Sequence, residues 1–182
     1  MVSRTLEYFR EGRDAEPTVR TDLAAILQTL ADDAAGAGPQ VAYHGPAHAV
    51  PPLRRLAAKP AFGNLLNNAL QHGAPPVTLS LLAGTAGTAG TAGAADVADV
   101  AGVAGGWVVE VTDAGHGIPA EAFSRALSPF ARLDPARGGT GVGLGLTIAH
   151  RFTAAEGGAL ALALALARAE AGGSLVRVAL PG

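Results

Sequence analysis

Cysteine is absent from the 182 residues, which excludes a disulfide scaffold and any thiolate metal site. Lysine occurs once, so a mechanism that needs a catalytic lysine rests on Lys59 alone. No apolar run approaches the roughly 20 residues of a membrane span, and the start has no signal-peptide pattern. A cytoplasmic domain without direct membrane contact is therefore expected. Positive charge is also in short supply. The net charge of −2 gives a nucleic-acid partner no electrostatic footprint. What remains is a length suited to one ordinary domain with a real core and a short appendage.

Hydrophobic periodicity divides the chain into short elements. Ser3 to Arg10 reads as an amphipathic helix ended by Gly12. Pro17 to Arg20 reads as a short strand. Asp22 then caps a helix from Leu23 to about Ala34, closed by Gly36 and Gly38. Gln40 to Tyr43 is a strand, followed by a Gly45-Pro46 turn. Pro60 suits the first position of a helix whose stripe is Phe62, Leu65, Leu66, Ala69 and Leu70. Gly73 ends that helix and Pro75-Pro76 prevents its continuation. Strands are predicted over Val77–Leu82 and Trp107–Thr112. Between them, residues 83–106 include a GTAGTAGTAG tract with little to bury and high backbone entropy, expected as a disordered hairpin insertion. A short helix over Glu121–Leu127 follows, then a glycine-rich run opening a helix to about Glu156. Ala159–Ala167 and Leu175–Leu180 read as two antiparallel strands joined by Gly172-Gly173.

Four stretches carry chemistry. Asp113-Ala114-Gly115-His116-Gly117-Ile118-Pro119 follows a buried strand, and its two glycines let backbone lie close to a flat ligand; turns use the same residues. A buried carboxylate there only accepts hydrogen bonds, so it fits the amine of adenine and repels the carbonyl of guanine. Asn64, Asn68 and Gln71 lie at i, i+4 and i+7, away from the apolar stripe. They are either a solvated polar face or neutral oxygen ligands suited to Mg²⁺. The run Gly138 to Gly145 enters a helix N-terminus and presents N–H donors to phosphate, but its G-x-G-x-G spacing is not the dinucleotide pattern. Arg132 and Arg137 flank it, as triphosphate partners or as surface charges.

Together these stretches resemble sensor histidine kinases of bacterial two-component systems. Asn64-Leu65-Leu66-Asn67-Asn68-Ala69-Leu70-Gln71-His72-Gly73 is similar to their N box, and Asp113 to Pro119 to their G1 box. Leu127-Ser128-Pro129-Phe130 resembles the F box, and Gly141-Val142-Gly143-Leu144-Gly145-Leu146 the G2 box. The boxes occur in family order across roughly Thr18 to Pro181.

The resemblance implies an α+β, Bergerat-type two-layer sandwich, with a mixed, mostly antiparallel sheet, helices on one face and a mobile ATP lid from about Phe130 to Gly143. It implies ATP and Mg²⁺ as cofactors, with Asn68 and Asn64 holding the metal and Asp113 the adenine amine. His72 flanks the base; Gly115, Gly117 and Ile118 line the adenine pocket. Gln71, Arg132 and Arg137, with Gly139, Thr140, Gly141, Val142, Gly143 and Leu144, complete the phosphate side. The sequence departs from the family at Ala114, at Leu127, at Gln71 (often basic) and at Pro60 (usually basic).

Related gyrase-, Hsp90- and MutL-type ATPases carry a water-activating glutamate where this chain has Asn64. The resemblance therefore favours a kinase that keeps the γ-phosphoryl for another acceptor. None of His44, His48, His72, His116 or His150 lies in the H-E/D-x-x-x-P setting of the family's phosphoacceptor. Residues 1–14 resemble the end of a dimerisation hairpin, and 15–182 the catalytic ATP-binding domain. The implied partners are the dimerisation and phosphoacceptor domain and a response regulator. Two alternatives stand beside this: a nucleotide-binding module without turnover, and an anti-sigma-type protein-serine kinase.

Overall fold

The structure is a computed structural model that describes residues 16–36, 40–84, 105–115, 144–164 and 173–182, with Ala122, Arg125 and Leu127. The order is β1 (Val19–Arg20), α1 (Leu23–Ala35), β2 (Val41–His44), β3 (Pro52–Leu53), α2 (Arg55–His72), β4 (Val77–Ala83), β5 (Trp107–Asp113), α3 (Gly145–Ala155), β6 (Ala159–Leu164) and β7 (Ser174–Leu180).

Five strands form one sheet in the order β2-β4-β5-β7-β6. β2 runs parallel to β4, and the other three pairs are antiparallel. The period of two puts Val77, Leu79 and Leu81, then Val109 and Val111, then Val176, Val178 and Leu180 on one face. That face meets Leu23 and Leu27 of α1, Phe62 and Leu65 of α2 and Phe152 of α3 in a single core. On the reverse face Arg177 pairs across the strands with Glu110, Nε to Oε1 at 2.9 Å. This is the mixed, mostly antiparallel α+β sandwich expected from sequence. Separately, β1, within the strand expected over Pro17–Arg20, pairs antiparallel with β3, which is only two residues long and was not expected.

α1 begins as predicted: the Asp22 carboxylate accepts the Ala25 N–H at 3.3 Å. α2 does not begin at Pro60 but at Arg55, which puts the proline inside the helix. The missing N–H would have bonded the Leu56 carbonyl. Leu56 and Pro60 both face solvent, so water reaches that oxygen. The inward side, Ala57, Ala58, Ala61, Phe62 and Leu65, is buried without interruption through the proline. Continuous burial outweighs the local defect.

β4 and β5 are antiparallel neighbours, and Gly84 N–H donates to the Gly106 carbonyl at 2.7 Å where the connection leaves the sheet. The predicted helix at Ser3–Arg10, the body of the 83–106 insertion and most of the Glu121–Leu127 helix lie outside the described residues. β6 is described to Leu164, short of the predicted Ala167.

Candidate functional site

Asp113 is the last residue of β5, on the core-facing side, and only 8 % exposed. A carboxylate so placed needs donors, and among the described residues it has two. Gly115 N–H donates to Oδ1 at 2.8 Å, and Ser174 Oγ donates to Oδ2. Ser174 opens β7 and stands opposite Asp113 in the strand register, so the sheet itself sets this contact. Ser174 lies outside the four motif stretches. Its signal was present in the alternation Ser174, Val176, Val178, Leu180, which puts the serine on the same face as the core residues.

Gly73 closes the site from the helix side. It caps α2, its N–H donating to the Ala69 carbonyl at 2.9 Å. A Cβ at Gly73 would overlap the Asp113 carboxylate, and one at Gly115 would come 2.6 Å from the Gly73 Cα. The two glycines are thus required by close approach of backbone to carboxylate. Ala114 N–H bonds the Ala74 carbonyl at 2.8 Å, joining the end of β5 to the end of α2. The glycine predicted only to stop a helix also makes room for Asp113.

Asn64 and Asn68 lie one turn apart on α2, both half-buried. Asn64 Nδ2 donates to the Pro60 carbonyl at 2.8 Å. A carbonyl can only accept, so this bond orients the amide and leaves Oδ1 as the outward group. Among the described residues Asn68 makes no side-chain hydrogen bond, and its amide oxygen is equally available. Two hard, neutral oxygens fit Mg²⁺ chemistry, which retains several waters. Gln71 and His72 are exposed at the end of the same helix.

α3 brings the glycine-rich segment against this face. A Cβ at Gly145 would lie 3.5 Å from the Asn64 carbonyl oxygen and 3.8 Å from its Oδ1. Leu144, the N-cap residue, is buried and supplies no side-chain cap, so the first N–H groups of α3 have no such partner. A helix start beside Asn64 with no side-chain cap among the described residues offers an anion both donors and the positive end of a dipole. Phe62 and Phe152 hold the two helices edge to face, ring centroids 5.6 Å apart.

The structure thus brings Asn64 to Gly145 on one side, and α2's C-terminus to Asp113 and Gly115 on the other. Gly117, Ile118, Phe130, Arg132, Arg137, Gly139, Thr140, Gly141, Val142 and Gly143 lie outside the described residues, as does His116. Among the described residues, no helix is long and apolar enough to cross a membrane.

Residues 54–182 match the family described as histidine kinase-, DNA gyrase B-, and HSP90-like ATPase. The chain is 30 % identical over 158 residues to the sensor histidine kinase GtrS of Pseudomonas aeruginosa, covering 87 % of this chain and 28 % of GtrS. Among solved structures, the mycobacterial sensor histidine kinase MprB superposes with a TM-score of 0.66 at 22 % identity, over 91 % of this chain and 97 % of MprB. Full-length ShkA in complex with AMPPNP gives 0.58 at 21 % identity, over 91 % of this chain and 32 % of ShkA. The chain therefore spans under a third of GtrS.

Proposed function

The chain belongs to the histidine kinase-, DNA gyrase B-, and HSP90-like ATPase family, and from that premise we propose that it binds ATP with Mg²⁺ and directs the γ-phosphoryl to a histidine of a dimerisation domain, for relay to a response regulator. The observation that carries the reading is the buried Asp113 carboxylate. It is fixed by Ser174 and Gly115 and sits against the end of the helix bearing Asn64 and Asn68.

In this reading Asp113 accepts the adenine amine, and the same acceptor-only group disfavours guanine. Asn64 and Asn68 hold the metal, which neutralises charge on the triphosphate. The open N–H groups at the start of α3 face the phosphates, with Gln71, Arg132, Arg137 and the segment Gly139 to Gly143 around them. His72 flanks the base, and Gly117, Ile118 and Phe130 complete the pocket. A carboxamide at position 64 takes no proton from water at neutral pH. Hydrolysis is therefore slow and the phosphoryl group is kept for a side-chain acceptor. Catalysis then consists of positioning and charge stabilisation of a loose transition state.

No histidine of this chain has the phosphoacceptor setting, so the chain alone is expected to bind ATP without phosphorylating itself. Residues 1–14 resemble the end of a dimerisation hairpin. Parallel titrations with ATP and GTP, with and without Mg²⁺, test the binding half. ATP should bind in a Mg²⁺-dependent way and GTP at least tenfold more weakly, the scale set when a buried polar group is left unpaired. Equal affinities would remove Asp113 from its role. Phosphohistidine appearing on an added hairpin fragment tests the transfer half.

A further inference from the structure

α2 and α3 lie antiparallel, and their far ends are joined by Arg54 and Glu156. Glu156 is 8 % exposed. Its Oε1 accepts the Arg54 backbone N–H at 3.3 Å and Arg54 Nη1 at 3.1 Å. The same Nη1 donates to the Ala155 carbonyl at 2.7 Å. Arg54 is the N-cap residue of α2 but supplies no side-chain cap of its own. In a capping box the N-cap N–H is taken by a carboxylate three residues on; here it is taken by a carboxylate from another helix. The charges also match the helix ends they meet. Glu156 stands at the positive end of α2, and Arg54 covers the negative end of α3.

The pair is not arranged for greatest stability. Arg54 Nε is buried without a hydrogen-bond partner, and a buried ion pair of this kind contributes geometry more dependably than net free energy. Geometry matters here because α3 is a lever. Phe152, packed on Phe62, is four residues from Glu156 and seven from Gly145, roughly 6 Å and 10 Å along the axis. A shift at the clasp is thus enlarged at Gly145, where α3 meets Asn64. The adenine side is insulated: Asp113 is held by Gly115, Ser174 and Gly73, none of them on α3.

We infer that Arg54 and Glu156 are positioning residues. Their clasp sets where the start of α3 stands against Asn64, and so tunes the phosphate half of the site without touching the adenine half. This rests on the ATP reading above.

The test measures ATP and adenosine affinities, both with Mg²⁺, for the wild-type chain and for the volume-matched double variant Arg54→Met/Glu156→Leu. Circular dichroism and a thermal melt report folding. The variant should keep its fold and its adenosine affinity while ATP binding weakens about tenfold, as expected for groups displaced by an ångström or less. Should the double variant fail to fold, Glu156→Gln keeps an acceptor of the same shape and should shift the ATP-to-adenosine ratio in the same direction by a smaller factor. A folded variant whose ATP and adenosine affinities are unchanged, or weaken together, overturns the clasp alone. A wild-type chain that binds neither ligand overturns the nucleotide reading and the clasp with it.

Discussion

Asp113 and Glu156 are carboxylates buried to the same degree, 8 % exposed each, yet they are satisfied in opposite ways. Glu156 faces a guanidinium, and its charge is matched within the fold. Asp113 takes a hydroxyl and a backbone N–H, and no cation among the described residues pairs with it. Neutral donors fix a carboxylate in place without cancelling its charge, which leaves capacity for a further donor from outside. An arginine partner cancels the charge instead. Burial alone does not mark a ligand site; the partner's charge separates a binding group from a structural one.

The two carboxylates should differ most visibly when Glu156 is removed. Glu156→Ala leaves the Arg54 guanidinium without its counter-charge and should cost about 3 kcal/mol of folding free energy in a urea titration. The lower end of the usual range applies because the Arg54 side chain keeps 23 % of its surface in water. An unchanged midpoint would mean that solvent already carries the charge. Asp113→Asn should move the other quantity. It retains the fold, since the amide oxygen still accepts the Gly115 N–H and the Ser174 hydroxyl can turn to accept from the new NH2, but should weaken ATP by about 2 kcal/mol, the scale of a charge-assisted hydrogen bond. If stability falls at Asp113 and ATP affinity does not, the two carboxylates have been assigned the wrong way round.

Much of this site was legible before any coordinates. The turn chemistry after Trp107–Thr112 marked Asp113, and the 3.6-residue period placed Asn64 and Asn68 on one face of a helix. The partners that decide the role of each carboxylate were not legible. Ser174 lies 61 residues from Asp113, and Glu156 lies 102 from Arg54. Such contacts are set by sheet register and helix packing rather than local pattern. Pro60 misled for a related reason: its local signal is a helix start, and only the buried face running past it keeps the helix intact.

Ser174→Ala sharpens the account of Asp113 with a smaller effect. It removes one of two donors, so the carboxylate is less firmly aimed, and ATP should weaken by about 1 kcal/mol with little change in melting temperature. A third carboxylate, Asp22, is more open than either, with 30 % of its side chain exposed. The His48 ring at 2.8 Å, helped by the Ala49 and Ala25 N–H groups, holds it below its ordinary value near 3.8. Because the folded value is the lower one, the contribution is present above about pH 4 and is lost as pH falls through the depressed value. Asp22→Ala should cost at most about 1 kcal/mol, chiefly the helix cap, and should flatten the acid limb of the stability curve. Water reaches this pair chiefly through the exposed His48 ring, which limits what the ion pair can contribute.

The smallest expected effect comes from the largest change to the chain. β5 has two ends: Asp113 closes one, and Gly106 opens the other, roughly 20 Å away along a seven-residue strand. Residues 85–104 depart and return at that second end, where Gly84 and Gly106 are bonded at 2.7 Å and Gly105 N–H returns to the Gly84 carbonyl at 3.2 Å. Replacing 85–104 with a two-residue Asn-Gly turn supplies a connection whose backbone twist suits two antiparallel strands. The β4–β5 register, the Asp113–Ser174 contact and the α2–α3 pair all lie beyond the point of surgery. ATP affinity should stay within twofold and the ATP-to-GTP ratio should not move, which places any change below about 0.4 kcal/mol. A tenfold loss would bring the excised residues across the length of the strand to the carboxylate end, and the separation drawn between the two ends of β5 would be wrong.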